Sequence, residues 1–382
     1  MPKSRHPRPA GPPGPYGLPV PSGLPVPSGL PVPSGLPSPS GLPSRDAAAD
    51  ALETLLRATR LVTVTGPGGV GKSALAAEVA RRMAGDRWDA VGFGDLAELD
   101  DPGPVPHYLA RALRLDGYHG RPELDALVGA VGTRPVLLVV DTCERLAGPC
   151  AEIFARLVAA CPGLHVLATS RRSAPHAPDG TFPLRPLPLG AATALFRTRA
   201  REYGAEDIGS GAAREICRLL DGLPLTVHTA AAQLARRTAA DLLSCLSRPE
   251  YVLDLPVPLP GRPERQRTLR GSLRWSLQLC TPLERLLWAR CSVFPSAFTA
   301  SDADVVCGDE RLPPESLAVA FGGLERQSLI LREAVAPSTR AATDAPFHMP
   351  RGARAYGRQW LVELGEEREL LRRCLAWSLS RA

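Results

Sequence analysis

The sequence predicts a three-layer α/β domain built on a parallel β-sheet, followed by a helical lid domain and a winged-helix domain. Two observations lead to this prediction. Strand-like and helix-like segments alternate up to residue 172, which is typical of a parallel sheet covered by helices. From residue 189 onward the apolar residues mostly recur at helical spacing. We therefore divide the chain into segments 1–44, 45–188, 189–250, 251–265 and 266–382.

The N-terminal segment, residues 1–44, is of low complexity. A Gly-Leu-Pro-Val-Pro-Ser repeat begins at Gly17, Gly23 and Gly29 and then degrades. Proline removes backbone donors and favours extended conformations, so this segment cannot build a packed core. We expect a disordered, semi-stiff spacer, and the alternative is a docking site for a proline-reading partner.

A phosphate-binding motif lies between the first predicted strand (60–65) and a predicted helix (74–83). The motif follows the pattern Gly, four residues, Gly-Lys, then Ser or Thr. Its residues are Gly66, Pro67, Gly68, Gly69, Val70, Gly71, Lys72 and Ser73, with Ala74 next. Glycines let successive N–H groups turn toward a phosphate at the start of the helix. Lys72 is predicted to reach the β- and γ-phosphates, and Ser73 to ligate Mg²⁺. The motif therefore predicts a P-loop NTPase domain that binds a nucleotide.

The lysine of this motif is unusual for the chain. The sequence has two lysines, Lys3 and Lys72, and 43 arginines. A compact ammonium beside a phosphate cannot be exchanged for a planar guanidinium without changing the geometry. The lysine at position 72 thus favours nucleotide binding over a chance glycine-rich turn.

The other elements of the α/β domain follow the strand–helix alternation. Helices are predicted over 46–59, 106–115, 123–131 and 150–160, and strands over 90–96, 136–141 and 165–169. The apolar run 136–140 is too short for a helix and ends in Asp141. Ligands bind beyond the carboxyl ends of parallel strands, so we expect Asp141 to orient Mg²⁺. Arg171 follows the next strand and is predicted to face the same crevice, unless that strand end is simply solvated.

The second half of the chain is mainly helical. Helices are predicted over 191–203, 212–220, 225–236, 239–246, 269–279, 282–291, 301–306 and 314–326. Pro224 is placed to start the third of these helices. A proline-rich linker separates the two groups at 255–263. Strand-like residues 329–332 and a strand-and-helix unit over 347–364 complete a pattern that resembles a winged-helix module.

Composition narrows the function classes. The net charge is +6, but acids and bases are interspersed and no basic block of five occurs, so we do not expect direct nucleic-acid binding. No run approaches the about 18 apolar residues of a membrane span, and we see no secretory signal. Nine scattered cysteines without a Cys-x-x-Cys pair suit reduced thiols in a cytoplasmic protein.

An ordered series of blocks gives residues 43–365 a family resemblance. The blocks are 65–73, 137–146, 167–171, 217–225, 266–276 and 286–298. They resemble the signal-transduction ATPases with numerous domains (STAND), of the NB-ARC-like type found in large bacterial LuxR-type and SARP-type transcriptional regulators.

The resemblance implies a switch between ADP and ATP. It implies that Lys72 and Ser73 hold phosphates and Mg²⁺, that Asp141 orients the metal, that Arg171 senses the γ-phosphate, and that Pro224 packs near the adenine. It also implies that the winged helix folds against the nucleotide rather than reading DNA. Exchange of ADP for ATP would then open the domains and permit self-association.

Three departures from the family pattern bear on activity. Pro43-Ser44-Arg45 replaces the Val-Gly-Arg element that contacts the base. Thr142 stands where a second acid often follows the strand-end aspartate, which leaves Glu144 to polarise water and predicts slow hydrolysis. Met349-Pro350-Arg351 replaces Met-His-Asp. We also expect no DNA-binding domain or sensor repeats within these residues.

Several functions stay open at this point. The favoured one is a nucleotide-dependent switch with weak ATPase activity that acts through protein partners. A scaffold that holds ADP without turnover is the second, suggested by Thr142 and Pro350. The third is a DNA-binding regulator that uses Arg351, Arg354 and Arg358 of the winged helix. A small-molecule kinase is less favoured, because no acceptor pocket is evident.

Overall fold

The computed structural model describes residues 45–84, 88–115, 124–172, 180–205, 208–256, 263–332 and 346–381. The predicted spacer at 1–44 and most of the predicted linker, 257–262, lie outside these ranges. No helix within the described ranges is long and apolar enough to cross a membrane.

A five-stranded parallel sheet forms the centre of the α/β domain. Its strands are β1 (Leu61–Thr65), β2 (Ala90–Asp95), β3 (Val136–Asp141), β4 (Leu164–Ser170) and β5 (Thr181–Pro183). They lie in the order β2-β3-β4-β1-β5, and all neighbouring pairs are parallel. Strand β4 therefore separates the strand before the phosphate loop from the strand that ends in Asp141.

Helices cover both faces of this sheet. They are α1 (Asp46–Ala58), α2 (Lys72–Met83), α3 (Val105–Ala112), α4 (Leu124–Val131) and α5 (Ala147–Ala160), with a short 3₁₀ helix at Cys143–Leu146. Leu137 and Val139 of β3 belong to the apolar core of α1 and α2, and Leu138 and Val140 to that of α3, α4 and α5. Side chains alternate across a strand, so the fully apolar run of β3 follows from two covered faces. The prediction of a three-layer α/β domain is confirmed.

Four helices follow the sheet. They are α6 (Leu189–Glu202), α7 (Ser210–Arg218), α8 (Pro224–Gln233) and α9 (Ala239–Leu246). Helix α6 packs against α7 and α8, and α7 against α9. Pro224 is the first residue of α8, where its missing N–H costs nothing. The ends of these helices lie within three residues of the predicted ones, and their role as a lid domain stays a prediction.

The described residues of the C-terminal part, 263–332 and 346–381, form six helices and a small hairpin. The helices are α10 (Leu269–Leu279), α11 (Pro282–Cys291), α12 (Ala300–Cys307), α13 (Pro314–Arg326), α14 (Arg351–Glu363) and α15 (Glu367–Ser380). The hairpin pairs β6 (Leu331–Arg332) with β7 (Phe347–His348) in antiparallel fashion. Two further 3₁₀ helices lie at Pro249–Asp254 and Glu264–Gln266. The winged-helix interpretation of this part stays a prediction.

Two elements of the α/β domain differ from the sequence-based expectation. Helix α3 ends at Ala112, earlier than predicted, and Arg114 beyond it has a φ of 51°, which is incompatible with a continuing helix. Strand β5 was not predicted, since three residues are too few to show a strand period.

Candidate nucleotide-binding site

The phosphate loop between β1 and α2 needs its glycines for backbone conformation and for space. Gly66, Gly69 and Gly71 have φ values of 146°, 80° and 97°, which side chains rarely allow. A Cβ on Gly66 would lie 2.3 Å from the Leu184 carbonyl oxygen, and one on Gly69 2.9 Å from the Leu225 Cβ. The loop thus packs closely against its neighbours and leads directly into the N-terminus of α2, whose first N–H groups have no partner within the helix.

Lys72 is buried in this loop and bound to loop carbonyls. Its Nζ donates to the Gly66 oxygen at 2.8 Å and to the Pro67 oxygen at 3.0 Å. Burial and the nearby positive charge of Arg171 together lower the pKa of Lys72 to about 8, against the opposing effect of two carboxylates. An ammonium in such an environment gains from an anion beside it, since the anion favours its charged form.

Asp141, at the end of β3, connects the phosphate loop with the neighbouring strand β4. The Ser73 hydroxyl donates to Asp141 Oδ1 at 2.8 Å, and the Thr169 hydroxyl donates to the same oxygen. Burial raises the pKa of Asp141, while these two hydrogen bonds lower it. A hydroxyl and a carboxylate are the oxygen ligands that Mg²⁺ prefers, so the pair fits the metal predicted from the sequence. The sequence predicts that the polar end of this strand faces the same crevice, but it does not identify Thr169 as a partner of Asp141, because it does not reveal that β4 lies beside β3.

The backbone turns sharply between Asp141 and Glu144. Thr142 has φ 62° and ψ 48°, a left-handed conformation that is unusual for a β-branched residue. Its N–H donates to the Thr169 hydroxyl at 3.2 Å. Backbone strain of this kind persists only where the surroundings fix it, and it is common at functional sites.

Glu144 and Arg171 lie together under α10. Both side chains are buried, and Arg171 Nε lies 3.4 Å from Glu144 Oε1. Arg171 Nη1 donates to the Ser272 carbonyl oxygen at 2.6 Å and to the Ser276 hydroxyl at 2.8 Å. Trp275 Nε1 donates to Glu144 Oε1 at 2.9 Å. These three residues of α10 were not predicted individually, although all lie in the 266–276 block of the resemblance.

Other parts of the chain also contact the phosphate loop. Arg45 Nη2 donates to the Val70 oxygen at 3.0 Å. The Leu225 N–H, one residue after Pro224, donates to the Gly69 oxygen at 3.1 Å. A small pocket with a cavity volume of about 20 Å³ adjoins the loop. It is lined by residues of the loop, of the α7–α8 turn, of α10 and of the segments around β6 and α14. The α/β domain, the α6–α9 segment and the C-terminal part therefore meet at the loop. Ala74 lies beside the loop, in the first turn of α2.

The three arginines proposed for DNA contact are bound within the protein. Arg351 donates to main-chain carbonyls at the end of α9 at 2.8 and 3.0 Å, Arg354 to the Pro295 oxygen at 2.7 Å, and Arg358 to Glu367 at 2.8 Å. Contact with DNA phosphates would have to replace these bonds.

Two proteins of Mycobacterium tuberculosis are similar to this chain in sequence. "Putative HTH-type transcriptional regulator Rv0890c" of Mycobacterium tuberculosis is 32% identical over 320 residues, covering 82% of this chain and 35% of that protein. "Uncharacterized protein Rv0894" of the same organism is 33% identical over 339 residues, covering 86% of this chain and 83% of that protein. The chain spans about a third of the length of the regulator it matches.

A solved structure extends the likeness to the fold. The Walker-type ATPase PABY2304 of Pyrococcus abyssi superposes with a TM-score of 0.60 at 14% identity, covering 82% of this chain and 95% of that chain. No family model matches the chain. The α/β domain therefore has the fold of a P-loop ATPase core.

Proposed function

This chain belongs to the family of the uncharacterized protein Rv0894 of Mycobacterium tuberculosis, and we propose that it is an ATP- and ADP-binding regulatory switch. One observation carries the proposal. A complete phosphate loop places its Ser73 hydroxyl 2.8 Å from the strand-end carboxylate of Asp141, with Lys72 and Arg171 buried beside it. Two cations, loop N–H groups and a hydroxyl–carboxylate pair suit a nucleotide phosphate with Mg²⁺.

Each residue of the site has a role in this proposal. The N–H groups of the loop and the first turn of α2 bind phosphate oxygens, and Lys72 leaves its two carbonyl partners for the phosphates. Ser73 and Asp141 hold Mg²⁺, which neutralises charge on the β- and γ-phosphates when bound. Arg171 senses the γ-phosphate, and Pro224, next to Leu225 at the loop, packs near the adenine. The assignment to the NB-ARC-like type belongs to this proposal.

Turnover in this switch is slow. Thr142 supplies no second acid after Asp141, and Glu144 is engaged by Trp275 and by Arg171. To polarise water, Glu144 would have to leave these partners. A scaffold that retains ADP without turnover is the second candidate, and the hydrogen bonds that hold Arg171 on α10 favour it.

We further propose that residues 45–188 bind the nucleotide, that 189–250 form the lid and that 266–382 form a winged helix beyond the linker 251–265. The switch acts through protein partners in transcription control, with self-association in the ATP state. We place the switch in transcription control because the similar protein Rv0890c is named as a transcriptional regulator. Direct DNA reading is not favoured, because Arg351, Arg354 and Arg358 are bound within the protein.

The test is to purify the protein, denature it and identify released nucleotide by chromatography. We expect stoichiometric ADP from the wild type and none from Lys72→Ala, with circular dichroism showing that the variant folds. Lys3→Ala, which changes the other lysine of the chain, is the matched control and should release as much ADP as the wild type. A wild-type protein that is empty and also fails to bind added ATP or ADP would refute nucleotide binding.

A further inference from the structure

The hydroxyl of Ser272 on α10 is buried without a hydrogen bond. Ser272 is 1% exposed, and within the described part of the chain its Oγ has no hydrogen-bond partner. Buried hydroxyls are nearly always hydrogen-bonded, since an unpaired one loses its water without compensation. An unpaired hydroxyl at this position therefore needs an explanation.

This hydroxyl lies directly against the phosphate loop. A Cβ on Gly68 would lie 2.3 Å from Ser272 Oγ and 2.6 Å from Arg171 Nη1. The approach is possible only because position 68 is glycine. Ser272 Oγ thus occupies the same side of the loop as the guanidinium of the proposed γ-phosphate sensor.

A local hydrogen bond within α10 would have been available to Ser272. Serine in a helix often donates to the carbonyl four residues earlier, which here is that of Thr268. The Thr268 oxygen accepts the Ser272 N–H at 3.1 Å, as in any helix, but it accepts no bond from the Ser272 hydroxyl, which stays unpaired. Ser276, one turn further along α10, differs because its hydroxyl already accepts from Arg171 at 2.8 Å.

The surroundings of Ser272 favour an anionic partner. Lys72 and Arg171 are buried cations of the same site, and neither can accept a hydrogen bond from a hydroxyl. A phosphate oxygen can accept from a hydroxyl in a charge-assisted bond while pairing with both cations.

We propose that Ser272 is a nucleotide-binding residue contributed by α10, whose hydroxyl donates to a phosphate oxygen of a nucleoside di- or triphosphate. The inference rests on the proposed binding of nucleotide at the loop. It adds a direct phosphate contact from the C-terminal part of the chain, about 200 residues from the loop in sequence.

The test measures ADP affinity and thermal midpoint for the wild type and Ser272→Ala. The alanine variant should bind ADP about 10-fold more weakly, since it loses a hydrogen bond to a charged group. Without nucleotide its midpoint should stay the same or rise, since the unpaired hydroxyl is gone. Ser272→Cys, which fills the same space with a weak donor, should lose most of the affinity as well.

Ser292→Ala is the matched control, because that buried serine donates to the Ala289 oxygen at 2.6 Å and does not touch the loop. It should leave ADP affinity unchanged. Equal ADP affinity in the wild type and Ser272→Ala would overturn this inference and leave the proposed function standing. A midpoint of Ser272→Ala that falls together with affinity would assign Ser272 a structural role and overturn it too. A wild type without any nucleotide affinity would overturn both.

Discussion

At the scale of single residues, the environment of Lys72 predicts how nucleotide affinity depends on pH. Its pKa is lowered to about 8, mainly by burial. A bound phosphate favours the charged ammonium, so above this pKa binding takes up a proton. ADP affinity should therefore be constant below about pH 8 and fall by up to about tenfold per pH unit above it.

The measurement for this prediction is calorimetric titration with ADP from about pH 7 to about pH 9.5, where the phosphates do not titrate. Lys72→Arg is the control, because a guanidinium stays protonated throughout this range. Whatever affinity it retains should not vary with pH. A wild-type affinity that is flat across the range would show that Lys72 does not pair with the ligand.

Asp141 is the residue for which the sequence predicts a role in metal binding. Asp141→Asn keeps an oxygen that accepts from Ser73 and Thr169, so the fold should persist, but it loses the charge that Mg²⁺ needs. We expect the Mg²⁺-dependent gain in ADP affinity to fall by about tenfold and the affinity without Mg²⁺ to stay unchanged. Titrations with ADP in the presence of Mg²⁺ and in the presence of a chelator measure these two affinities separately.

Asp95→Asn is the matched control for this measurement. Asp95 is the strand-end acid of β2, lies opposite Asp141 in register and pairs with Arg265 at 2.7 Å. Asp95 acts on Asp141 only through its charge, so its variant should keep most of the response to Mg²⁺. If Asp141→Asn weakened ADP binding equally with and without Mg²⁺, its proposed role in holding the metal would be lost.

At the scale of elements, the sequence predicts which segments form strands and helices better than it predicts which of these elements lie next to each other. The run 136–141 predicts β3, because a strand that is buried on both faces is mostly apolar. The glycine pattern likewise locates the phosphate loop. The position of β4 between β1 and β3 depends on packing across the whole sheet and leaves no local signal. Thr169 was therefore missed as a partner of Asp141, although its strand was predicted.

The same limit explains why the contacts of α10 were missed. In the sequence, α10 has the pattern of an ordinary amphipathic helix. Its residues Ser272, Trp275 and Ser276 lie more than 100 positions from Glu144 and Arg171. Nothing local distinguishes a serine that faces a phosphate loop from one that faces solvent. Only the family resemblance marked the block that contains them.

Helix α10 should influence which nucleotide is preferred. Arg171 donates to two acceptors on this helix, and a γ-phosphate must compete with them for the guanidinium. Ser276→Ala removes one acceptor, so the affinity for ATP relative to ADP should rise about 3- to 10-fold. Competition binding measures this ratio. Arg171→Ala should move it in the opposite direction, and an unchanged ratio in Ser276→Ala would show that α10 does not restrain Arg171.

At the scale of the whole molecule, two side chains that bind the ends of helices connect the α6–α9 segment with α14. The N-terminus of α14 receives Asp221 Oδ2, which accepts the Gly352 N–H at 3.1 Å. The C-terminus of α9 receives Arg351, whose guanidinium binds the Leu246 and Ser247 oxygens. An acid at one helix start and a base at another helix end each complement the local helix dipole. The packing of α14 against the α6–α9 segment therefore includes two contacts that do not involve residues of the phosphate loop.

Asp221→Gly tests this connection. Asp221 has a φ of 54°, which glycine adopts without strain, so the variant removes the side chain and little else. We expect a loss of about 1–2 kcal/mol of stability and about tenfold faster hydrogen exchange in the first turn of α14.

Asp221→Asn and Asp241→Asn are the controls for this prediction. Burial raises the pKa of Asp221, so the neutral side chain is tolerated, and asparagine keeps the acceptor oxygen and the positive φ; it should behave nearly as the wild type. Asp241→Asn changes the capping box at the start of α9 and should speed exchange only there. The measurement is hydrogen exchange by mass spectrometry, with β1 and β3 as the unaffected reference. If Asp221→Gly left α14 as protected as in the wild type, the contact through Asp221 would contribute nothing to the packing of α14 against the α6–α9 segment.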